Sequence, residues 1–171
     1  MNDSLVIRTE CNDDFDEIRR IVKEAFAGAE HSDGDEHNLI DRLRMTDDYI
    51  PPLSLVAEIN GAIVGYIMFS RIYIGGREAL ALAPLAVLPL FQNCGIGRAL
   101  IEAGHRKAKE MGFCCSVVLG SPQYYAHNGC LPSIRFGITP PFEVPSRFYM
   151  VYPMAEDLPR GEVRYSSAFL L

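Results

Sequence analysis

The stretch from Leu80 to Gly112 constrains this chain more than any other part of it. Leu80 to Leu88 is apolar at nearly every position, which predicts a strand buried on both faces. It runs past Pro89 into Gln92-Asn93-Cys94-Gly95-Ile96-Gly97. A helical repeat follows, carried by Ile96, Leu100, Ala103, Ala108 and Met111, with Gly112 as its stop. The first N–H groups of a helix have no carbonyl behind them, and the positive end of the dipole lies there. A glycine-containing turn from a buried strand into a helix is therefore an anion site. Glycines at 95 and 97 remove Cβ atoms where a phosphate would approach the backbone, and Arg98 adds a positive charge to the first turn.

Two nucleotide patterns fail at this turn. The dinucleotide fingerprint needs a third glycine where Leu100 stands. The P-loop needs Gly-Lys-Ser/Thr, and Gly97 is followed by Arg98-Ala99.

The flanking sequence supplies the rest of a mixed α/β sheet. Leu5 to Thr9 reads as a strand, and Asn12 or Asp13 can cap a helix with Phe15, Ile18, Ile21, Val22, Ala25 and Phe26 on one face. Gly28 to Asp35 reads as a loop and Glu36 to Arg44 as a short helix. Asn60-Gly61 between two apolar runs, Leu53 to Ile59 and Ala62 to Ile72, is a hairpin signal of type I′. Ser116 to Leu119 reads as a buried strand, and Pro122 to Asn128 as a helix ended by Gly129. Pro132, Pro140, Pro141 and Pro145 then predict irregular structure, with Phe148 to Tyr152 and Val163 to Tyr165 as closing strands. The chain reads as one domain, residues 1–171, in which 131–171 is the Pro-rich and closing-strand region.

Charge and cysteine usage exclude several classes. Sixteen basic against 22 acidic side chains leave a net charge of −6, which argues against nucleic acid and for neutral or cationic small partners. Five cysteines, Cys11, Cys94, Cys114, Cys115 and Cys130, include no Cys-x-x-Cys pair, so neither a disulfide framework nor a metal site is expected. No apolar run is long enough to span a bilayer, and Met1 to Ser4 lacks a basic, apolar signal pattern. A cytoplasmic protein with no membrane partner is the expectation, and a homodimer is compatible with the sequence.

Leu85-Ala86-Val87-Leu88-Pro89 followed by Gln92 through Leu100 resembles the acetyl-CoA signature of the GNAT superfamily of N-acetyltransferases, Gln/Arg-x-x-Gly-x-Gly/Ala behind a splayed strand. The blocks Gly120 to Gly129 and Arg135 to Pro145 resemble a bacterial subgroup, the YhbS-like predicted acetyltransferases. The resemblance implies a single domain with a splayed central sheet, acetyl-CoA as co-substrate, no metal, and direct transfer to the primary amine of a small molecule or peptide. It further implies that backbone groups of Leu85, Ala86 and Val87 meet the acyl and pantetheine portions, with the Leu85 N–H polarising the thioester carbonyl. The N–H groups from Asn93 to Ala99, with Gln92 leading the turn, would hold the pyrophosphate, and Leu119, Gly120 and Ser121 would border the gap. Tyr125, four residues before Gly129, matches the Tyr-x-x-x-Gly pattern whose phenol reaches the CoA sulfur, where it would act as a general acid or pack on the cofactor.

The chain departs from the family at Ala81, where some relatives carry a glutamate base. Glu30, His31, Glu36 and His37 are the candidates on the acceptor side. His105 and His127 are expected on helix surfaces, Tyr124 is expected to point away from Tyr125, and Phe136, Phe142, Phe148 and Tyr149 read as an apolar lining near the acceptor site or equally as core. A non-catalytic acyl-CoA-binding or regulatory module is the alternative reading. A weaker one is partner binding through the Pro-rich last third.

Overall fold

The computed structural model describes residues 4–171; Met1 to Asp3, part of the stretch read for a signal pattern, lie outside the described residues. Nine strands and four α-helices follow in the order β1 (Leu5–Thr9), α1 (Phe15–Phe26), α2 (Glu36–Arg44), β2 (Tyr49–Ile59), β3 (Ala62–Ile74), β4 (Arg77–Val87), α3 (Ile96–Glu110), β5 (Cys115–Leu119), α4 (Pro122–His127), β6 (Leu131–Pro132), β7 (Ile138–Thr139), β8 (Tyr149–Pro153) and β9 (Gly161–Arg164). This is a mixed α/β fold with one open sheet. Its main path runs β1-β2-β3-β4-β5-β8-β6, and β9 joins it beside β3, with β7 beside β9.

The hairpin between β2 and β3 turns at Asn60 and Gly61, both with positive φ (52° and 78°), as a type I′ turn requires. β3 then divides the core by the two-residue period of a strand. Tyr66 and Met68 meet Ile18, Ile21 and Val22 of α1 and Ile40 and Leu43 of α2 on one face. Ile67 and Phe69 meet Leu100, Ile101 and Ala108 of α3 on the other. Each fully buried Ile or Leu contributes about 1.5–3 kcal/mol, so these two layers hold the helices on the sheet.

The buried stripe of α3 is rotated from the one the sequence spacing suggests. Gly104 and His105 are buried beside Leu100 and Ile101, whereas Met111 is 42% exposed. A Cβ at Gly104 would overlap the Phe69 ring, so the glycine lets α3 sit directly on β3. His105 is thus a core residue, not a surface one: its Nε2 lies 2.8 Å from Ser116 Oγ of β5, and its ring stacks on Tyr152 with centroids 3.7 Å apart. Burial lowers its pKa from the ordinary 6.5 to about 4, which keeps the ring neutral.

The arrangement of β4 and β5 positions everything functional. They run parallel and pair only at Leu80↔Ser116 and Ala81↔Val117. Beyond that point β4 stays with β3 as far as Gly65↔Val87, and β5 leaves with β8 as far as Leu119↔Tyr149. At the parting, β4 carries a bulge in which Ala83 and Pro84 stand opposite Met68 alone, between the pairs Phe69↔Leu82 and Ile67↔Leu85. A residue without an N–H is tolerated in a strand at such a point. The expectation that β4 is buried on both faces fails here. Leu82, Pro84 and Ala86 are buried, but Ala83, Leu85 and Val87 are only partly so, because β5 has moved away. The Pro-rich last third is more ordered than its prolines suggest, with the short β6 and β7 preceding β8 and β9.

Candidate functional site

The wedge between β4 and β5 has backbone groups along one wall. Leu88 donates its N–H to the Val64 carbonyl at 2.9 Å. Successive N–H groups of an extended strand point to opposite sides. Ala86 therefore also faces β3, and Leu85 and Val87 turn their N–H groups into the wedge. The side chain of Gln92 corroborates this direction, since its Nε2 donates to the Val87 carbonyl at 3.0 Å. Val87 thus directs its N–H into the wedge while its carbonyl is shared with Gln92, whose side chain closes the turn. Ala86 has its backbone directed at β3 and its side chain buried against α1, so neither faces the wedge.

The turn into α3 lies at the mouth of the wedge. Asn93 (φ 62°) and Gly95 (φ 84°) are both left-handed, and Gly95 caps α3. The two glycines have different reasons. A Cβ at Gly95 would meet open space, so that residue is required by its dihedral. Gly97 is helical, and a Cβ there would overlap the hydroxyl of Tyr124 reaching across from α4. The N–H groups of Ile96, Gly97 and Arg98 have no intrahelical acceptor, but the Ala99 N–H already donates to Gly95 at 3.0 Å. Ala99 therefore drops out of the expected cradle, and it faces a different groove beside Leu5 and Ile7. Cys94 is exposed, its Sγ directed at the Gln92 carbonyl, and Ile96 buries its side chain in the core. The Arg98 side chain is 68% exposed and paired with Glu102 at 2.9 Å, so its charge is partly spent. What the start of α3 can offer an anion is in the main backbone N–H groups.

The two tyrosines of α4 straddle this mouth, edge to face with centroids 5.0 Å apart. Tyr124 packs its ring against Tyr125 instead of turning away from it, and its hydroxyl reaches Gly97. Tyr125 lies against Gly120, where a Cβ would stand 2.5 Å from its ring. Burial raises the Tyr125 pKa well above the ordinary 10, so the phenol keeps its proton at neutral pH. Ser121 caps α4 by accepting the Tyr124 N–H at 3.4 Å, and the Gly120 N–H is taken by the Phe148 carbonyl at 2.9 Å.

Behind Leu85 and Tyr125 the wedge opens into a cavity of about 700 Å³. Leu119, Gly120 and Ser121 border it, as the sequence suggests, and so does Ala81. Its far wall is the α1–α2 loop with Glu30, His31, Ser32 and Asp33, continued by Asp35, Glu36 and Arg42 of the α2 turn. Three of the four base candidates, Glu30, His31 and Glu36, thus line the cavity. His37 does not, and burial together with the charges of Arg19 and Lys23 lowers its pKa. Of the aromatic candidates only Phe142 lines the cavity. Tyr149 is core, Phe136 packs beside it, and Phe148 lies under the Arg147 guanidinium. Phe26, Tyr165 and Phe169 also line the cavity, and sequence reasoning gave them no such role. Only the chain's return across the sheet could have placed the last two. Among the described residues no group of His, Cys, Asp and Glu is arranged to hold a metal, and no helix is long and apolar enough to cross a membrane.

Residues 15–128 match the acetyltransferase (GNAT) family. The N-acetyltransferase YjhQ of Escherichia coli K12 is 33% identical over 137 residues, covering 77% of this chain and 73% of the relative. A GNAT acetyltransferase from Brucella melitensis, solved with acetyl-CoA, superposes with a TM-score of 0.82 at 32% identity, covering 98% of this chain and 99% of the other. YhbS from Escherichia coli, solved with CoA, gives a TM-score of 0.88 at 25% identity over 98% of this chain and 92% of its own.

Proposed function

This chain belongs to the GNAT acetyltransferase family, and from that membership we propose that it transfers the acetyl group of acetyl-CoA directly to a primary amine held in the cavity behind Leu85 and Tyr125. One observation carries the reading. The N–H-rich start of α3 at Ile96 and Gly97 and the outward N–H groups of Val87 and Leu85 lead along the wedge towards a cavity of about 700 Å³ that Leu85 and Tyr125 line, large enough for a second substrate.

The residues fit acetyl-CoA on three counts. The left-handed Gly95 brings the turn into α3 with no side-chain cap on the helix start. The helix end offers donors to a pyrophosphate. The wedge offers one strand's outward N–H groups to an amide-containing arm, much as a sheet edge accepts an added strand. When bound, the co-substrate supplies a thioester, an acyl group already activated for transfer.

The protein's own groups then divide the work. The Leu85 N–H donates to the acyl oxygen as charge collects on it, a contribution worth roughly 3 kcal/mol where such donors have been removed from other enzymes. The cavity holds the amine nitrogen against the acyl carbon, and positioning of that kind supplies several kcal/mol more. The new bond forms between nitrogen and carbon, the carbon–sulfur bond breaks, and its electron pair leaves with sulfur. Tyr125, kept protonated by burial, gives its proton to that sulfur. The proton lost by the amine goes to solvent or to a carboxylate of the α1–α2 loop, and reaches Tyr125 again through water. Products are one amide and one free thiol.

Release of that thiol from acetyl-CoA in the presence of an amine panel tests the proposal, and amine-dependent release is expected. Tight acetyl-CoA binding without release on any amine would overturn it. That result would favour the binding-module reading, which Ala81 supports because β4 offers no carboxylate to the cavity.

A further inference from the structure

The lining of the cavity has a polarity that selects among amines. Its floor is aromatic. Tyr165 lies between Phe142 and Phe169, with ring centroids 6.2 Å and 4.8 Å away. The Tyr165 hydroxyl is spent on Tyr149, 2.7 Å away and outside the cavity lining, so the phenol has a partner already. Phe26 at the end of α1 extends the apolar surface from the other side.

Its rim is anionic, and three of its carboxylates, Glu30, Asp33 and Glu36, have no cationic partner among the described residues. Glu36 accepts a hydrogen bond from Ser32 at 2.5 Å, and Asp33 accepts only the backbone N–H of Asp35 at 2.9 Å. Among the described residues neither carboxylate has a cationic partner, and Glu30 has no partner at all. The one arginine in the lining already has a carboxylate partner. Arg42 pairs with Asp35 at 2.6 Å and donates through Nε to the Ala168 carbonyl at 2.8 Å. Among the described residues of the lining, no guanidinium or ammonium stands without a carboxylate partner to receive a carboxylate or phosphate on the acceptor.

We propose that the acceptor is an amphipathic cation: a primary amine on an aryl or medium-chain alkyl body that carries no carboxylate. This rests on the transfer reading above. The ammonium form is drawn to Glu30, Asp33 and Glu36, while the body displaces water from the rings. A free α-amino acid meets the same carboxylates with its own and is repelled. A polyamine satisfies the rim but leaves the aromatic floor bare.

The test compares phenethylamine, phenylalanine, hexylamine and spermidine as acceptors with the purified protein and acetyl-CoA. Phenethylamine and hexylamine are expected to exceed phenylalanine about a hundredfold in kcat/KM, and spermidine about tenfold. Equal rates for phenethylamine and phenylalanine, or spermidine as the best acceptor, would overturn the inference. The double variant E30Q/E36Q should raise the KM for phenethylamine about tenfold at low salt with KM for acetyl-CoA unchanged, and the difference should shrink at 1 M salt. An unchanged amine KM in a folded variant counts against it. Should no amine release thiol while acetyl-CoA binds, the transfer reading alone has failed. Calorimetric titration of phenethylamine and phenylalanine into the CoA-loaded protein then decides, with binding of the first only expected and equal binding or none refuting the inference.

Discussion

The proposed function rests on two unlike regions of the wedge: towards α3 it uses backbone atoms, the N–H groups of Leu85, Val87, Ile96 and Gly97, and in the cavity it uses side chains, from Phe26 through Glu36 to Phe169. The first set falls within thirteen residues of sequence. The second is gathered from segments more than 140 positions apart. A backbone site is written by what is left out, here a Cβ at 97 and hydrogen-bond partners at a helix end, so it survives in a short motif. A side-chain site is written by what converges on it, and convergence belongs to the whole fold.

The sharpest way to break this contrast is to restore a side chain where the backbone site lacks one. Gly97→Leu should weaken acetyl-CoA binding on the order of a thousandfold, since about two charge-assisted hydrogen bonds of roughly 2 kcal/mol each would be lost. Calorimetry measures the affinity, and circular dichroism should show an intact fold. An affinity within threefold of the parent would remove the anion site from this turn.

A second experiment loosens the joint between the two sides, the contact of His105 on α3 with Ser116 on β5. The folded-state pKa is depressed, so the unfolded chain binds the proton first as pH falls. Stability is complete above about pH 6.5 and is lost progressively down to about pH 4, by about 3 kcal/mol. Denaturant titrations at pH 7 and pH 4 should show this loss in the parent and much less of it in His105→Gln, although carboxylates such as Asp14 add a loss below pH 4 common to both.

Tyr125→Phe comes next. Turnover should fall about tenfold to a hundredfold, with KM for acetyl-CoA within threefold. In the parent, kcat should show no alkaline fall assignable to this phenol below pH 10, because its pKa is raised. Unchanged turnover would reduce Tyr125 to a packing residue on the cofactor side.

The smallest effect is expected at Arg98. Its side chain is exposed and already paired with Glu102, so Arg98→Gln should cost less than threefold in acetyl-CoA affinity. A loss of tenfold or more would show that the cofactor side depends on a side-chain charge after all.

The order of elements was legible because its signals are local. Asn60-Gly61 fixes the hairpin through positive φ, and the apolar run into Gly95 fixes β4, the turn and α3. Individual roles were less so. Helical spacing alone offered Ala103 and Met111 for the buried stripe, and only the seating of Gly104 on Phe69 rotates α3 to bury His105 instead. Ala86 and Ala99 fit the motif by position, yet each has its hydrogen-bonding group turned elsewhere, a matter of strand pleat and helix register. Tyr165 and Phe169 carried no sequence signal for the cavity, since nothing nearby in the chain distinguishes them from core aromatics.

The sequence by itself determined the family, the mixed α/β order and the glycine turn into α3, because glycine at a helix start and alternation in a strand act over a few residues. The tertiary structure decided which N–H groups remain free, which carboxylates stand without a cation and which rings share one cavity. Those are properties of pairing. Whether a polar group is satisfied or available depends on the element packed opposite it, and no local pattern records that.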